Sequence, residues 1–453
     1  MNQKRLFLLV AIIYICLTLL ICLGISRVDT LFLLSVYGLL FATYIYVSKK
    51  IETPNYLNWI LLGVGLRMLL IFTFPNLSDD IYRFVWDGRL LLQGINPFNQ
   101  LPSYYIENHV LSSSLNIELY QKLNSPMYYT VYPPLCQASF WLGAWISPDS
   151  IYWHSVTLKV FLFTGECASI WWLHQLARQQ YIRAEAAVLY ALNPLAIIEI
   201  CGNVHYEGAM IAGLIGAIYF LRKAIFESQT PSVKSLILSA LLLSLSISSK
   251  MLPLLMLPMF FFIFNQDFIN KINIRNIKTG VSYCTLVLLF LAIQYLAFIN
   301  DTFLAHFQNS LNLYYSKFEF NASIYYVAKQ IGYWTYGYNP INNITACLKL
   351  VLLFFIAILS VSNRIFFTHK LLIISTLYLL LSSTIHPWYV LLPFAMSLLT
   401  QSRFATYWTG LCFLSYSHYY GGQYQEHYWL MTVEYSLLFF FIIKEYNFLH
   451  KQL

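Results

Sequence analysis

Charge is what this sequence has least of. Asp, Glu, Lys and Arg together make up 10% of its 453 residues, whereas 59% are hydrophobic and the mean hydropathy is +0.61. A soluble globular domain carries about 25% charged residues, so too few remain here to cover a water-facing surface. The shortage excludes an ordinary soluble protein and makes lipid the solvent of the outer surface. Cysteine is present but unordered: the eight residues are scattered within apolar runs and form no CxxC pair, so no disulfide framework is expected and they read as small core residues. The chain also lacks a P-loop, a zinc-protease helix, a soluble dinucleotide-binding unit and any visible internal repeat. A net charge of +8 would suggest nucleic acid in a soluble protein, but membrane orientation accounts for it here and no nucleic-acid partner is expected.

What the chain has instead is apolar runs, near 6–24, 30–48, 57–74, 155–176, 185–201, 206–222, 234–249, 251–264, 279–299, 346–362, 371–385, 387–400, 404–418 and 429–444. The fold expected is all-α, a single polytopic membrane domain over residues 1–453 with about 13–14 transmembrane helices. The basic start of the first run and the absence of an A-x-A-like site after it argue for a retained span over a cleaved signal. Two polar-aromatic stretches, 75–130 and 300–345, interrupt the pattern. The run 131–147 is ambiguous.

Lys and Arg settle the orientation, because loops rich in them stay in the cytoplasm. Lys4, Arg5, Lys49 and Lys50 put the N-terminus and the second loop inside, and the third span then delivers 75–130 to the outside. If 131–147 crossed, every later basic loop would lie outside. If it dips in and returns, Arg178, Arg183, Arg222, Lys223, Lys234, Arg275, Lys278, Arg364, Lys370, Arg403 and Lys444 all fall inside, so most of the 27 basic residues are cytoplasmic. Pro133-Pro134 suits such a broken, protein-covered segment better than a span. The acids, both long loops and the polar breaks between short spans then face out, and function is expected on that face.

Four groups there can carry chemistry. In "SDDIYRFVWDGRLLLQGINPF" (78–98), Asp79 and Asp80 are adjacent at the membrane boundary, where mutual repulsion and partial desolvation favour raising one carboxyl into the range of a general base. Taken alone, Ser78-Asp79-Asp80 is most often a helix cap. Its company shifts the balance: an amphipathic helix over 81–93 would carry Arg83, Asp87 and Arg89, with Asp80, Arg83 and Asp87 on one face, before Gly94 ends it. In "NPLAIIEICGNVHYEGA" (193–209), His205 and Glu207 lie in an outer turn and Glu199 one or two turns deeper, where an acid is a functional candidate by default. Lys250 in "SSKMLP" and His386 in "IHPWY" each begin a short, proline-broken span of the kind that binds anions at depth, with Trp388 and Tyr389 beside the latter suiting a sugar face. Tyr132 precedes the proline pair, and "SYSHYYGGQYQEHYW" (415–429), with His418, Glu426 and His427, reads as an outer lid. A divalent cation on Asp79/Asp80 with His205 is a second reading of the same acids, although one His is a weak metal signal.

With those residues in view, the chain resembles the GT-C membrane glycosyltransferases, in particular the bacterial polyprenyl-phosphate-mannose-dependent type and the mannosyltransferase of glycosylphosphatidylinositol assembly. The matching stretches are "SDDIYRFVWDGRLLLQGINPF", "YTVYPPLCQASFW", "ALNPLAIIEICGNVHYEGA", "SSKMLPLLMLP" and "HPWYVLLPF", in the family's order over roughly residues 60 to 400. The resemblance implies a multi-pass enzyme of the plasma membrane, with its site on the extracytoplasmic side. It would move a sugar, mannose first, from a polyprenyl-phosphate donor to a lipid or glycan acceptor, with inversion. It assigns the base to Asp79 or Asp80 and the donor phosphate to Lys250, with His386 at a similar family position. Arg83, Asp87, Arg89, Tyr132, His205, Glu207, Trp388 and Tyr389 complete the expected substrate-binding set. The rivals are a transporter or flippase for lipid-linked sugars, which should show repeats, and a polymerase or ligase, which should centre on a late loop. The topology makes a prediction of its own: single cysteines at Glu107 and Lys234 will react with a membrane-impermeant maleimide from opposite sides of the membrane, position 107 from outside. Labelling of both from one side would remove the outer-face reading.

Overall fold

A computed structural model describes residues 3–52, 55–108, 114–226, 232–265 and 273–450. Among them the chain is helical, with no strand and one isolated bridge, between Phe320 and Thr384. Among the described residues, six helices are long and apolar enough to cross a bilayer: Lys4–Gly24, Thr30–Ser48, Ile151–Arg178, Glu207–Phe226, Ile274–Tyr295 and Ile341–Val361. Five more apolar helices are shorter, at 10–17 residues: Tyr56–Leu70, Val233–Ile247, Leu252–Phe262, Phe367–Leu380 and Pro387–Leu398. The surface is inverted relative to a soluble protein. Leu8, Ile12, Leu31, Leu61, Ile293, Leu350 and Phe354 point outward, while Arg67, Asp87, Lys159, Glu166, Glu199 and Glu434 are buried. Apolar residues face out because hydrocarbon is their solvent, and charges turn in because hydrocarbon cannot satisfy them. The protein is an all-α, multi-pass membrane protein.

The intramembrane charges hold helices together. Arg67, from Tyr56–Leu70, donates through Nε to Glu166 Oε2 (2.8 Å) and through Nη1 and Nη2 to the carbonyls of Ala191 (2.5 Å) and Tyr190 (3.2 Å). Pro194, which has no N–H, breaks the Ala186–Leu192 helix just beyond those carbonyls. The guanidinium therefore supplies donors that the proline withholds. Glu166 also accepts from Tyr190 Oη at 2.7 Å. Lys159 donates to the carbonyls of Leu70 and Thr73 and to Thr73 Oγ1, fixing the turn that leads to Asp79. Close approach helps: a Cβ on Gly63 would stand 2.2 Å from the Ala191 carbonyl oxygen.

The helix expected over 81–93 runs Asp80–Leu92 and ends at Gly94 with φ +74°. It does not lie on the interface as an amphipathic helix would. It is buried on nearly every side, packed against Pro134–Ile146 so closely that a Cβ on Gly88 would sit 2.3 Å from the Phe140 carbonyl oxygen. The ambiguous 131–147 run is that 13-residue Pro134–Ile146 helix, about 20 Å long at 1.5 Å per residue and short of a crossing. The stretch 300–345 is no open loop but two helices, Phe303–Lys317 and Ile324–Tyr336. The C-terminal part returns to the N-terminal part: the Tyr37 and Phe413 rings stack at 3.6 Å, and Tyr37 Oη donates to the Thr409 carbonyl at 2.7 Å.

Polar contacts between helix ends sort into two groups. Arg222 reaches Gln179, Arg183 reaches the Ser402 carbonyl and Arg403 reaches Glu185, so those basic turns share one end of the bundle. The Asp79, His205, Lys250 and His386 turns meet at the other. Breaking a buried ion pair by removing one partner costs about 3–5 kcal/mol. Arg67→Met is therefore expected to destabilise by that amount in thermal unfolding in detergent, and the Arg67→Met/Glu166→Gln pair to recover most of the loss.

Candidate active site

Asp79 occupies the N-cap position of Asp80–Leu92 but makes no capping bond through its side chain. It pairs instead with Arg27 from the turn after the first helix, and the Arg27 guanidinium lies over the Tyr419 ring, 5.2 Å from its centroid. Asp80, one residue on, takes a hydrogen bond on Oδ1 from Asn124 Nδ2 (2.7 Å) and turns Oδ2 toward His205 Nε2, 3.9 Å away. The two acids that were equivalent in the sequence thus have different partners. Arg27 was not singled out in the sequence, because nothing local ties "GISRVDT" to residue 79.

The His205 turn follows an irregular helix. Asn193 caps the short Pro194–Ala196 turn, and Ile197–Gly202 then continues as a π-helix, a widened turn frequent at functional sites. Val204 has φ +64°, a strained value for a β-branched residue. The result turns His205 back on Glu199: Nδ1 is 3.1 Å from Glu199 Oε2 and the same distance from its carbonyl oxygen. Glu199 also accepts from Asn203 Nδ2 (3.1 Å) and Tyr416 Oη (2.8 Å). Two residues further on, Glu207 opens the Glu207–Phe226 helix and binds Lys250 Nζ at 2.9 Å.

Aromatic rings join these groups. His205 stacks on Trp388 at 3.6 Å, Trp388 on His386 at 4.6 Å, and His386 lies 4.5 Å from Phe320. The Tyr389 ring lies under Lys250 Nζ, 5.2 Å from centroid. Tyr132 packs edge-on to Phe84 at 4.9 Å and sits close enough to Asp80 and Tyr389 to feel both. Burial, with His205 and then Lys250 nearby, pushes His386 below the ordinary histidine range. Four segments remote in sequence thus meet: Asp79/Asp80, His205/Glu207, Lys250 and His386–Tyr389, with Tyr132 at the edge.

Arg83, Asp87 and Arg89 stand behind this cluster. Arg83 Nε binds Asp87 at 2.8 Å and Nη1 binds the carbonyls of Ser125 (3.2 Å) and Tyr128 (2.9 Å), while Asp87 Oδ2 accepts from Gln137 Nε2 at 3.1 Å. The pair braces the 125–132 stretch that follows Asn124, whose amide binds Asp80. Arg89 holds the carbonyls of Ser114 (2.5 Å) and Asp149 (2.9 Å) and faces away. The 415–429 segment is tied down: His427 N donates to His418 Nδ1 at 3.1 Å, Tyr326 and Tyr424 both donate to Glu426, and Tyr424 stands in hydrogen-bond reach of the Glu319 carbonyl at 3.1 Å. Burial and the Glu426 carboxylate raise both tyrosines above their ordinary range. Among the described residues, no group of three His, Cys, Asp or Glu side chains is arranged to hold a metal ion.

The fold and the site describe a multi-pass membrane protein with an acid, a lysine and aromatic rings gathered at one end. Residues 18–266 match the family model described as "Alpha-(1->6)-mannopyranosyltransferase, N-terminal domain". The chain belongs to that family, and the matched region contains Asp79, Asp80, His205, Glu207 and Lys250 while His386–Tyr389 lie beyond it. Two relatives from Corynebacterium glutamicum are similar over shorter stretches. Alpha-(1->6)-mannopyranosyltransferase B is 26% identical over 149 residues, 32% of this chain and 24% of the relative. Alpha-(1->6)-mannopyranosyltransferase A is 26% identical over 162 residues, 34% of this chain and 30% of the relative. The chain thus spans less than a third of the length of either. No solved structure matches.

Proposed function

We propose that this protein is a GT-C mannosyltransferase. It moves mannose from a polyprenyl phosphate to a hydroxyl of a lipid or glycan acceptor, on the extracytoplasmic face of the plasma membrane. The observation that carries the reading is the convergence, on one end of an apolar helix bundle, of a carboxylate, an ammonium and a stack of rings. Family membership supplies the sugar.

Asp80 is the base. Asp79 is engaged by the Arg27 guanidinium, which occupies the carboxylate that would have to meet the acceptor hydroxyl. Among the described residues Asp80 has no cationic partner as close; the Asn124 amide and the His205 ring meet its carboxylate. The acceptor oxygen attacks the anomeric carbon as Asp80 takes its proton, and the bond from that carbon to the phosphate oxygen breaks on the opposite face. Lys250 meets the charge that grows on the leaving phosphate. Glu207 holds the ammonium in position beforehand, so little reorganisation is needed when the phosphate arrives. Trp388 and Tyr389 offer flat faces to a sugar ring.

The donor's tail has a place to lie. A mainly apolar groove of about 440 Å³ is lined by Leu91, Leu135, Trp141, Leu245 and Phe298, with Gln137 and Gln294 among them. Its wall is fastened to the Lys250 turn, because Leu135 N donates to the Ser248 carbonyl at 3.1 Å and Cys136 Sγ lies 3.1 Å from the Ser249 carbonyl. A prenyl chain in the groove would therefore leave its phosphate near Lys250.

The test is transfer of radiolabelled mannose from polyprenyl-phosphate mannose to membrane glycolipid acceptors, by purified protein in detergent. A positioned base contributes about 10²–10⁴-fold. Asp80→Asn is expected to lose at least the lower figure while remaining folded, Asp79→Asn to lose less, and Lys250→Ala to raise the KM for the donor. No transfer by the wild type, or full activity in both Asp variants, would overturn the proposal.

A further inference from the structure

His205 carries a ring nitrogen with no hydrogen-bond partner. Its side chain is 3% exposed, Nδ1 faces the Glu199 carboxylate, and Nε2 is buried and unpartnered with Asp80 Oδ2 at 3.9 Å. Glu199 accepts at Nδ1, so the proton belongs on Nδ1 and the lone pair on Nε2, aimed at Asp80. The Trp388 ring, stacked at 3.6 Å, fixes the plane of the imidazole. Burying an acid this deep and widening a helix to turn a histidine onto it is costly for a purely structural contact.

We propose that His205, oriented by Glu199, receives from Asp80 the proton that Asp80 removes from the attacking hydroxyl. This rests on Asp80 being the base. As the new bond from the acceptor oxygen to the anomeric carbon forms and the bond to phosphate breaks, the acceptor proton passes to Asp80. It moves on to His205 Nε2, giving an imidazolium whose Nδ1–H is held by the Glu199 carboxylate. Asp80 returns to its carboxylate form, and the proton leaves to water once product departs. The 3.9 Å gap closes by about 1 Å on substrate binding, or a single water bridges it, both ordinary for a site without its substrate.

The charged and titratable groups around this relay come from each packed element. Asp80 is flanked by Asp79, Arg27, Tyr419 and Tyr132. Glu199 faces Tyr416 and, more distantly, Tyr37, Cys22 and Cys412. His386 and Lys250 lie on the far side of Trp388. Glu199 is the carboxylate in contact with the ring, so it is the group that stabilises the imidazolium.

The experiment measures kcat and KM against pH for the full chain with polyprenyl-phosphate mannose as donor. The variants are His205→Gln and Glu199→Gln, with Asp80→Asn alongside. His205→Gln is expected to lower kcat by about 10²-fold, to leave the donor KM within about twofold, and to lose the acidic limb that requires a neutral imidazole. Glu199→Gln is expected to keep that limb but move it to lower pH, because the carboxylate that favoured the charged ring is gone. Partial rescue of His205→Ala by added imidazole would support the relay. A His205→Gln protein with wild-type kcat and limb would overturn it, as would an unchanged limb in Glu199→Gln, which decides the matter should His205→Gln not fold. If Asp80→Asn is active, the base assignment fails. If Asp80→Asn is inactive and both limbs are unchanged, the relay alone fails.

Discussion

Hydrocarbon solvates no charge, and this protein is organised around that constraint. Arg67, Lys159 and Glu166 sit in apolar helices and survive because each finds all its partners inside the molecule. The two cations bind carbonyls at helix ends, at Tyr190–Ala191 before Pro194 and at Leu70–Thr73 before the acidic pair, and Glu166 accepts from Arg67 and Tyr190. The same bonds that make the charges tolerable therefore fix where two helices end. The site begins where they end: Asp79 follows one break, and the Glu199–His205 turn follows the other.

A second constraint is length. Helices of 10–17 residues cannot each span a bilayer alone, so their ends stop within the protein. Lys250 and His386 stand at two such ends, and the π-helix at 197–202 provides a third interruption. Irregular backbone at depth is tolerated only where protein or a cavity covers it. The polar ends then meet one another: Lys250 binds Glu207, and His205 stacks on Trp388 beside His386.

Much of this was legible in the sequence. The scarcity of charge gave the class of protein, the lysines and arginines gave a partition of loops that agrees with the two groups of end contacts, and adjacent acids next to an apolar run marked the end of the bundle where the Asp79, His205, Lys250 and His386 turns meet. What was not legible came from contacts between distant segments. Nothing near Asp79 shows that Arg27 will pair with it, so the two acids could not be told apart. The i+3 and i+4 spacing placed Arg83 and Asp87 on a common face, but the carbonyls of Ser125 and Tyr128 that consume the guanidinium belong to a loop with no periodic signal. The Asp80–Leu92 helix looked amphipathic because its buried charges are paired inside, a case in which polar residues do not mean solvent.

The proposed mechanism places a lipid-linked sugar phosphate between Lys250 and Asp80. A cryo-electron microscopy structure with polyprenyl-phosphate mannose bound tests it most directly. The account predicts the phosphate in contact with the Lys250 ammonium, the prenyl chain in the groove beside Trp141 and Leu245, and the anomeric carbon open to attack from the Asp80 side. A headgroup seated at the opposite end of the bundle, among Arg183, Arg222 and Arg403, would contradict it.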